Sequence, residues 1–185
     1  TIQLKMAQKG YWVYDFALPM LLLHGLYSGR TDRLLHWLQI CPRNQFTTLD
    51  THDGIGVVDV VDLLSDDEID YVRDIVDRIT EPAQKYIKRP SMIKMSKKQA
   101  QRYQLGCTYY NALNCEDDAY LIARAVQFFT PGIPQVYYVG MLAGKNDIEF
   151  LKNGGELRGI NRHNYSMEEV DEAVEQPVVQ KLLKL

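Results

Sequence analysis

The segment Phe46–Gly56, FTTLDTHDGIG, constrains the fold more than any other part of the chain. Its first four residues are apolar or β-branched, which is typical of a short buried strand. The pattern then breaks into a polar run at residues 50–53, and two glycines after it allow a sharp turn. Because α/β proteins carry chemistry at the carboxyl edge of a parallel sheet, the segment predicts a strand that presents the pair His52 and Asp53. A strand followed by a plain polar turn is the alternative, and we expect a capping or turn role for Asp50.

Three strands followed or preceded by helices indicate an α/β fold. The strands are predicted at Tyr11–Ala17, Phe46–Leu49 and Gln135–Val139, and the helices at about 18–26, 66–79, 119–129, 167–175 and 177–185. Ser65 followed by three acidic residues is a typical helix start, since a serine cap and negative charge suit the helix dipole.

Composition excludes several classes of protein. The chain has 185 residues, 46% of them hydrophobic, and a net charge of −3, an ordinary globular composition. The chain contains no apolar run of about 18 residues, so no membrane span is predicted. Cys41, Cys107 and Cys115 lack CxxC spacing, so we expect reduced thiols in a cytoplasmic protein rather than disulfides or a zinc site. His24 and His36 fall on predicted helices and are expected at the surface or the edge of the core rather than as metal ligands.

Four segments, in the same order, resemble the sucrose phosphorylases, a branch of the α-amylase superfamily of (β/α)8-barrel enzymes. Besides the segment around His52, they are Tyr14–Pro19 (YDFALP), Pro131–Asp147 (which contains PGIPQVYYVG and AGKND) and Gly159–His163 (GINRH). The resemblance implies that residues 1–185 are the C-terminal portion, about strands six to eight, of a (β/α)8 TIM-type barrel. A complete barrel needs about 250 residues or more, so the N-terminal half is expected to lie outside this chain.

The resemblance also implies a role for several residues. Asp53 matches the carboxylate that stabilises the transition state, while His52 and Arg162 match residues that contact the glucosyl group. His163 is expected to support the position of Arg162. The nucleophile and the acid/base of such retaining enzymes, two carboxyl groups about 5–5.5 Å apart, would lie before Thr1. No glutamate here fits the acid/base role, and six sit in helical or helix-capping contexts where they are expected to be solvated: Glu68, Glu116, Glu168, Glu169, Glu172 and Glu175. The family needs no metal or other cofactor.

The region 82–103 departs from the family. The pair Tyr103–Gln104, expected on the acceptor side of the site, is retained, but the Leu-Asp-aliphatic triplet before it is replaced by Ala100-Gln101-Arg102. Residues 82–102 carry seven basic side chains and no Asp or Glu. Because clustered cations attract anions and arginine holds phosphate with two hydrogen bonds, a phosphorylated substrate such as sucrose 6′-phosphate is one interpretation. A solvated basic loop is the other, and the lack of interleaved aromatic residues disfavours nucleic acid.

Three hypotheses for function remain open. The first is a part of a sucrose phosphorylase-type enzyme, inactive alone, whose parent converts sucrose or sucrose 6′-phosphate and inorganic phosphate to α-glucose 1-phosphate. The second is a hydrolase or transglucosidase of the same superfamily, and the third is a non-catalytic binding module. The sheet of this chain would start at the sixth strand of the barrel and lack the strands that precede it. We therefore expect an exposed backbone edge and self-association.

Overall fold

The computed structural model describes residues 2–84 and 104–185. Five strands are present in this part of the chain: β1 Val13–Asp15, β2 Gln45–Thr47, β3 Ile55–Gly56, β4 Gln104–Leu105 and β5 Ile133–Pro134. The helices are α1 Ile2–Gln8, α2 Leu18–Ser28, α3 Asp32–Ile40, α4 Asp66–Gln84, α5 Tyr109–Ala112, α6 Asp117–Phe129, α7 Tyr138–Met141, α8 Ile148–Lys152, α9 Met167–Val174 and α10 Pro177–Leu182. Short 3-10 turns occupy Val58–Val60 and Leu157–Gly159.

The central sheet is parallel, in the order β1-β2-β5. Tyr14 lies opposite Phe46, and Phe46 lies opposite Ile133, so these three residues form one row across the sheet. Strands β3 and β4 form a separate antiparallel pair, in which Gly56 lies opposite Gln104. The α/β class predicted from the sequence is confirmed.

The side chain of Asp15, the last residue of β1, contacts the start of helix α2. Its buried carboxylate accepts hydrogen bonds from the backbone N–H groups of Ala17 and Leu18, at 3.1 and 3.0 Å, and from the indole of Trp37 at 2.9 Å. An acceptor at this position satisfies donors that a helix start leaves free. Burial raises the pKa of Asp15, against the lowering effect of these hydrogen bonds. The following helix α2 is buried along residues 18–25, because nearly all its side chains are apolar.

The helix α4 begins at the predicted serine. The hydroxyl of Ser65 accepts from the backbone N–H of Glu68 at 3.2 Å, and the carboxylate of Glu68 accepts from the N–H of Ser65 at 2.8 Å. This reciprocal pair is a capping box. Glu68 is not simply solvated as expected, since its side chain is only 11% exposed and lies 3.2 Å from Arg33.

The third predicted strand, Gln135–Val139, is wrong in position. The strand consists of Ile133–Pro134, and the run of β-formers that suggested it continues into helix α7. Only the N–H of Gln135 still bonds the sheet, to the carbonyl of Thr47 at 2.8 Å. Packing overrides the β propensity here, because the carbonyl of Gly140 in α7 accepts the buried Tyr120 hydroxyl at 2.6 Å. The first two strands were predicted in the right places but too long.

Candidate functional site

The turn after β2 is held by side chains from two parts of the chain. The three consecutive carbonyl oxygens of residues 50–52 each accept a side-chain hydrogen bond: from the Thr48 hydroxyl at 2.8 Å, from the Asn161 amide at 2.9 Å and from the Arg162 Nε at 2.7 Å. Asn161 is buried. The backbone that presents His52 and Asp53 is therefore fixed both locally and by a segment about 110 residues away.

Gly54 closes this turn. Its N–H donates to the carbonyl of Thr51 at 3.1 Å, and its φ of +88° lies in the left-handed region that favours glycine. A Cβ at this position would lie 2.4 Å from the carbonyl oxygen of Leu105 in β4. The turn therefore packs directly on the backbone of the neighbouring antiparallel pair, and any other residue would push it away.

His52, Asp53 and Arg162 come together at the carboxyl end of β2. One carboxylate oxygen of Asp53 lies 3.3 Å from the Arg162 guanidinium, and the other lies 3.5 Å from Nε2 of His52. The three side chains remain 54%, 34% and 62% exposed for Asp53, Arg162 and His52. An anion flanked by two hydrogen-bonding groups and open to solvent can bind a polyhydroxylated ligand and stabilise positive charge that develops on it.

Asp50 does more than the expected turn role. Its carboxylate lies 2.8 Å from the guanidinium of Arg124 in α6, and the two side chains are 2% and 1% exposed. Burial lowers the pKa of Arg124, but the Asp50 carboxylate and the Tyr120 hydroxyl raise this pKa by more, so the net change is upward and Arg124 stays protonated. Sequence reasoning missed Arg124. Its signal was a single cation spaced three or four residues from Tyr120 and Gln127 on a helix whose neighbouring positions are buried.

The ring of His163 bridges two carboxylates. Nδ1 lies 2.7 Å from Asp147 at the start of α8, and Nε2 lies 3.1 Å from Glu169 in α9. The hydrogen bond to Asp147 is the main reason that the pKa of His163 is raised. The carbonyl of His163 also accepts the hydroxyl of Tyr138 at 2.8 Å. These contacts fix the backbone next to Arg162, which is the kind of support expected for His163.

A cleft of about 380 Å³ opens beside Arg162. Both acidic and basic side chains line it: Asp147, Phe150, Glu156, Arg158, Gly159, Arg162 and Asn164. The cleft places Arg162 between the Asp53 carboxylate and an open space bordered by hydrogen-bonding groups.

The residues predicted on the acceptor side are only partly described. Gln104 lies in β4 and pairs with Gly56, which follows Gly54 of the turn by two residues. Arg102 and Tyr103 lie outside the described residues, as do Ala100 and Gln101.

The remaining histidines of the described residues form no further site. His24 is 2% exposed, deeper than expected, with Nε2 3.8 Å from Glu68, and burial lowers its pKa. His36 lies exposed on α3. Within residues 2–84 and 104–185, no group of three or more His, Cys, Asp or Glu side chains is placed to hold a metal ion. No helix in this same part of the chain combines the length and apolar character needed to cross a membrane.

Comparison with known proteins gives close relatives but no matching family model. The chain is 51% identical over 185 residues to the sucrose phosphorylase of Streptococcus mutans and 50% identical over 186 residues to the glucosylglycerol phosphorylase of Marinobacter adhaerens. These matches cover 100% of this chain and 37% and 38% of the two relatives. It is 48% identical over 188 residues to the sucrose 6(F)-phosphate phosphorylase of Thermoanaerobacterium thermosaccharolyticum, again covering 100% of this chain and 37% of the relative.

A solved structure agrees with these relatives. The crystal structure of sucrose 6F-phosphate phosphorylase from Thermoanaerobacter thermosaccharolyticum superposes with a TM-score of 0.85 at 47% identity, covering 99% of this chain and 37% of that one. The fold is therefore shared with part of a phosphorylase, and the chain spans well under half the length of the relatives it matches. Over its whole length, the chain is homologous to the sucrose phosphorylases and the sucrose 6F-phosphate phosphorylases.

Proposed function

We propose that this chain is part of a sucrose phosphorylase-type glucosyltransferase, which transfers glucose from sucrose to inorganic phosphate with retention and releases α-glucose 1-phosphate and fructose. One observation carries the proposal: His52, Asp53 and Arg162 meet at the carboxyl end of a parallel strand, in a chain homologous throughout to phosphorylases. Carboxyl ends of parallel strands are where α/β enzymes hold their substrates.

In this proposal Asp53 stabilises the transition state. Glycosyl transfer passes through an oxocarbenium-like state with positive charge on the sugar ring. A carboxylate that is already fixed by Arg162 at 3.3 Å needs little reorganisation when this charge appears. His52 and the free donors of Arg162 would hold hydroxyl groups of the glucosyl residue, which keeps the ring against Asp53. The nucleophile and the acid/base lie outside residues 1–185 in this proposal, so the chain alone is inactive.

We further propose that residues 1–185 form one partial catalytic domain, strands six to eight of a (β/α)8 barrel. The parallel order β1-β2-β5 supports this, because successive strands of such a barrel are neighbours. The row Tyr14–Phe46–Ile133 supports it as well. Tyr14 and Ile133 are 42% and 48% exposed, although apolar residues on one face of a parallel sheet are normally covered.

A hybrid enzyme tests the function directly. The matching part of the Streptococcus mutans sucrose phosphorylase is replaced by this chain, and release of glucose 1-phosphate from sucrose is measured with and without phosphate. Phosphate-dependent product is the expected result. A hybrid that melts cooperatively but makes no glucose 1-phosphate would overturn the proposal. Glucose released equally well without phosphate would instead indicate a hydrolase, and transfer to added sugars a transglucosidase.

Sucrose 6′-phosphate is the second candidate substrate. Two observations favour it: the basic run within residues 85–102, which lies outside the described residues, and the similarity to a sucrose 6F-phosphate phosphorylase. The described chain resumes two residues after this run, at Gln104 in β4, which pairs with Gly56 close to the Asp53 turn.

The preference can be measured in the same hybrid. If the basic run binds the phosphate, kcat/KM is higher for sucrose 6′-phosphate than for sucrose. Either the single variant Arg102→Ala or the double variant Lys97→Ala with Lys98→Ala then removes much of this difference. Each lost charge-assisted hydrogen bond is worth about 1.5–3 kcal/mol of discrimination. Glucosylglycerol is included as a third substrate. Equal kcat/KM for the two sucroses, unchanged by the substitutions, would leave the basic run as a solvated loop.

A further inference from the structure

The buried pair Arg124 and Asp50 is an expensive feature for a small domain. Each charge loses its hydration when it is buried, and the mutual attraction of the two charges repays this only with good geometry. An apolar pair of similar volume is often at least as stable. The main effect of such a pair is therefore on geometry, and the geometry in question is the end of the strand that leads to His52 and Asp53.

Arg124 is itself fixed from three sides. Its guanidinium donates to the Tyr120 hydroxyl at 2.6 Å from Nη2 and to the Gln127 side chain at 2.9 Å from Nη1. The amide of Gln127 in turn donates to the carbonyls of Thr47 and Gln135, each at 2.9 Å. The guanidinium therefore has a set position relative to α6, to the end of β2 and to the segment after β5.

Asp50 has one anchor among the described residues. Its Oδ1 takes the Arg124 hydrogen bond, while its buried Oδ2 accepts none. The carboxylate is also confined by Gly140: a Cβ there would lie 2.6 and 2.7 Å from the two carboxylate oxygens and 2.0 Å from Nη2 of Arg124. The direction of the Asp50 side chain is thus set by Arg124 on one side and by the backbone of Gly140 on the other.

The turn begins at the residue so fixed. The carbonyl of Asp50 is the first of the three consecutive carbonyls that accept side-chain hydrogen bonds. The other two, of Thr51 and His52, are held by Asn161 and Arg162, which come from a different part of the chain. The Arg124–Asp50 pair is the contact that ties the start of this turn to the sheet and to α6.

We propose that Arg124 and Asp50 are positioning residues: through their ion pair they set the direction in which the turn presents His52 and Asp53 to the substrate. This inference rests on the proposed function, and it adds to it two residues that touch no substrate. A displacement of about 1 Å in a catalytic group can cost 10²-fold in rate. Loosening the pair should therefore lower kcat more than it changes KM.

The test uses Arg124→Lys in the hybrid enzyme, with Arg73→Lys as the matched control. Arg73 is also largely buried, with a side chain 10% exposed, and pairs with Asp70 at 3.1 Å, but it lies on α4 and makes no hydrogen bond to the turn. We expect Arg124→Lys to lower kcat at least tenfold with KM within about threefold of the unchanged hybrid. The control should lower the melting temperature without changing kcat. A kcat for Arg124→Lys equal to that of the control would overturn the inference.

A second measurement does not depend on activity. Hydrogen exchange, followed by mass spectrometry on a peptide covering residues 49–57, reports the Gly54 N–H that bonds the carbonyl of Thr51. We expect exchange in this peptide to be at least tenfold faster in Arg124→Lys, and unchanged in Arg73→Lys. Unchanged exchange in Arg124→Lys would overturn the inference.

The two measurements separate the proposals. A folded hybrid that is inactive, but whose turn exchanges faster in Arg124→Lys, would refute the proposed function and keep the positioning role. An active hybrid in which Arg124→Lys changes neither kcat nor exchange would do the reverse. If Arg124→Lys does not fold, Asp50→Asn keeps the volume and the Oδ1 acceptor and is measured in the same two ways, with the same results for and against.

Discussion

The carboxyl end of the central sheet and one of its faces differ in how far contacts within the chain cover their side chains. At the carboxyl end of β2, buried polar groups find their partners within the chain, as in the contact of Arg124 with Asp50 at 2.8 Å. On the sheet face, Trp12 and Tyr14 are 54% and 42% exposed although they pack on Phe46, with ring centroids 5.3 and 5.6 Å apart. The turn at the carboxyl end is held by side chains of this chain, although the buried Oδ2 of Asp50 accepts no hydrogen bond, whereas Trp12 and Tyr14 on the aromatic face remain half exposed. A few side chains can hold a turn even when they come from 74 and 110 residues away, while covering a sheet needs a partner of domain size.

The largest expected effect comes from a substitution at the carboxyl end of β2. In the hybrid enzyme, Asp53→Asn removes the negative charge but keeps the size of the side chain. We expect kcat to fall by at least about 10²-fold, roughly 3 kcal/mol in barrier, because one preorganised electrostatic stabiliser is lost. The measurement is steady-state phosphorolysis of sucrose, with cooperative melting as the test of folding.

Asp118→Asn serves as the control for Asp53→Asn. Asp118 is exposed in the first turn of α6, away from the turn at Asp53. Its substitution should leave kcat unchanged. If Asp53→Asn retained near-normal phosphorolysis, Asp53 would be a turn residue and the proposed site would be wrong.

A smaller effect concerns the aromatic face and the two edge strands, β1 and β5, of the sheet in the described part of the chain. We expect the isolated chain to self-associate, because strand edges and uncovered aromatic residues are templates for pairing. Trp12→Ser should raise the concentration for half-association about tenfold, which corresponds to about 1.4 kcal/mol. Sedimentation or light scattering over a dilution series measures this.

Phe129→Ser is the matched control for Trp12→Ser. Phe129 is 89% exposed at the end of α6 and belongs to none of the aromatic pairs of the sheet face. Its loss should change association little. A compact monodisperse monomer with a cooperative melt would contradict the expected self-association and weaken the partial-barrel proposal.

The smallest effect depends on pH and concerns the support of Arg162. The pKa of His163 is raised above its usual 6.5, mainly by Asp147 and also by Glu169. The stabilisation from His163 is therefore full below pH 6.5 and is lost as pH rises through the folded-state pKa. Because the side chain is 31% exposed, we expect at most about 1 kcal/mol, or a few degrees of melting temperature.

The measurement is the melting temperature at pH 6 and at pH 8. The difference between the unchanged chain and His163→Gln should be larger at pH 6. His36→Gln, at an exposed position on α3, should show no such change. A difference for His163→Gln that is equal at both pH values would remove the ion pairs as the source of the stabilisation.

Local patterns predicted the elements that depend on local chemistry. The strand before Asp50 and the capping box at Ser65 follow from β propensity and from reciprocal hydrogen bonds three residues apart. The third strand was misplaced because the β-formers at 138 and 139 belong to helix α7, where the carbonyl of Gly140 accepts the buried Tyr120 hydroxyl. Arg124 was missed because its partner is 74 residues away. Arg162 was found only by resemblance, since no local pattern predicts a contact with a turn 110 residues earlier.

The contact of the turn with β4 has a consequence for how substrate range can change. The described chain stops at Gln84 in α4 and resumes at Gln104, directly opposite Gly56. The return point is tied to the backbone that also carries Asp53, so any sequence inserted between these two anchors begins and ends at the same places. In the proposed function, changes within residues 85–103 can therefore alter acceptor recognition while His52, Asp53 and Arg162 keep their geometry. Such a division would let phosphorylases named for different substrates remain nearly equally similar to this chain, at 51%, 50% and 48% identity.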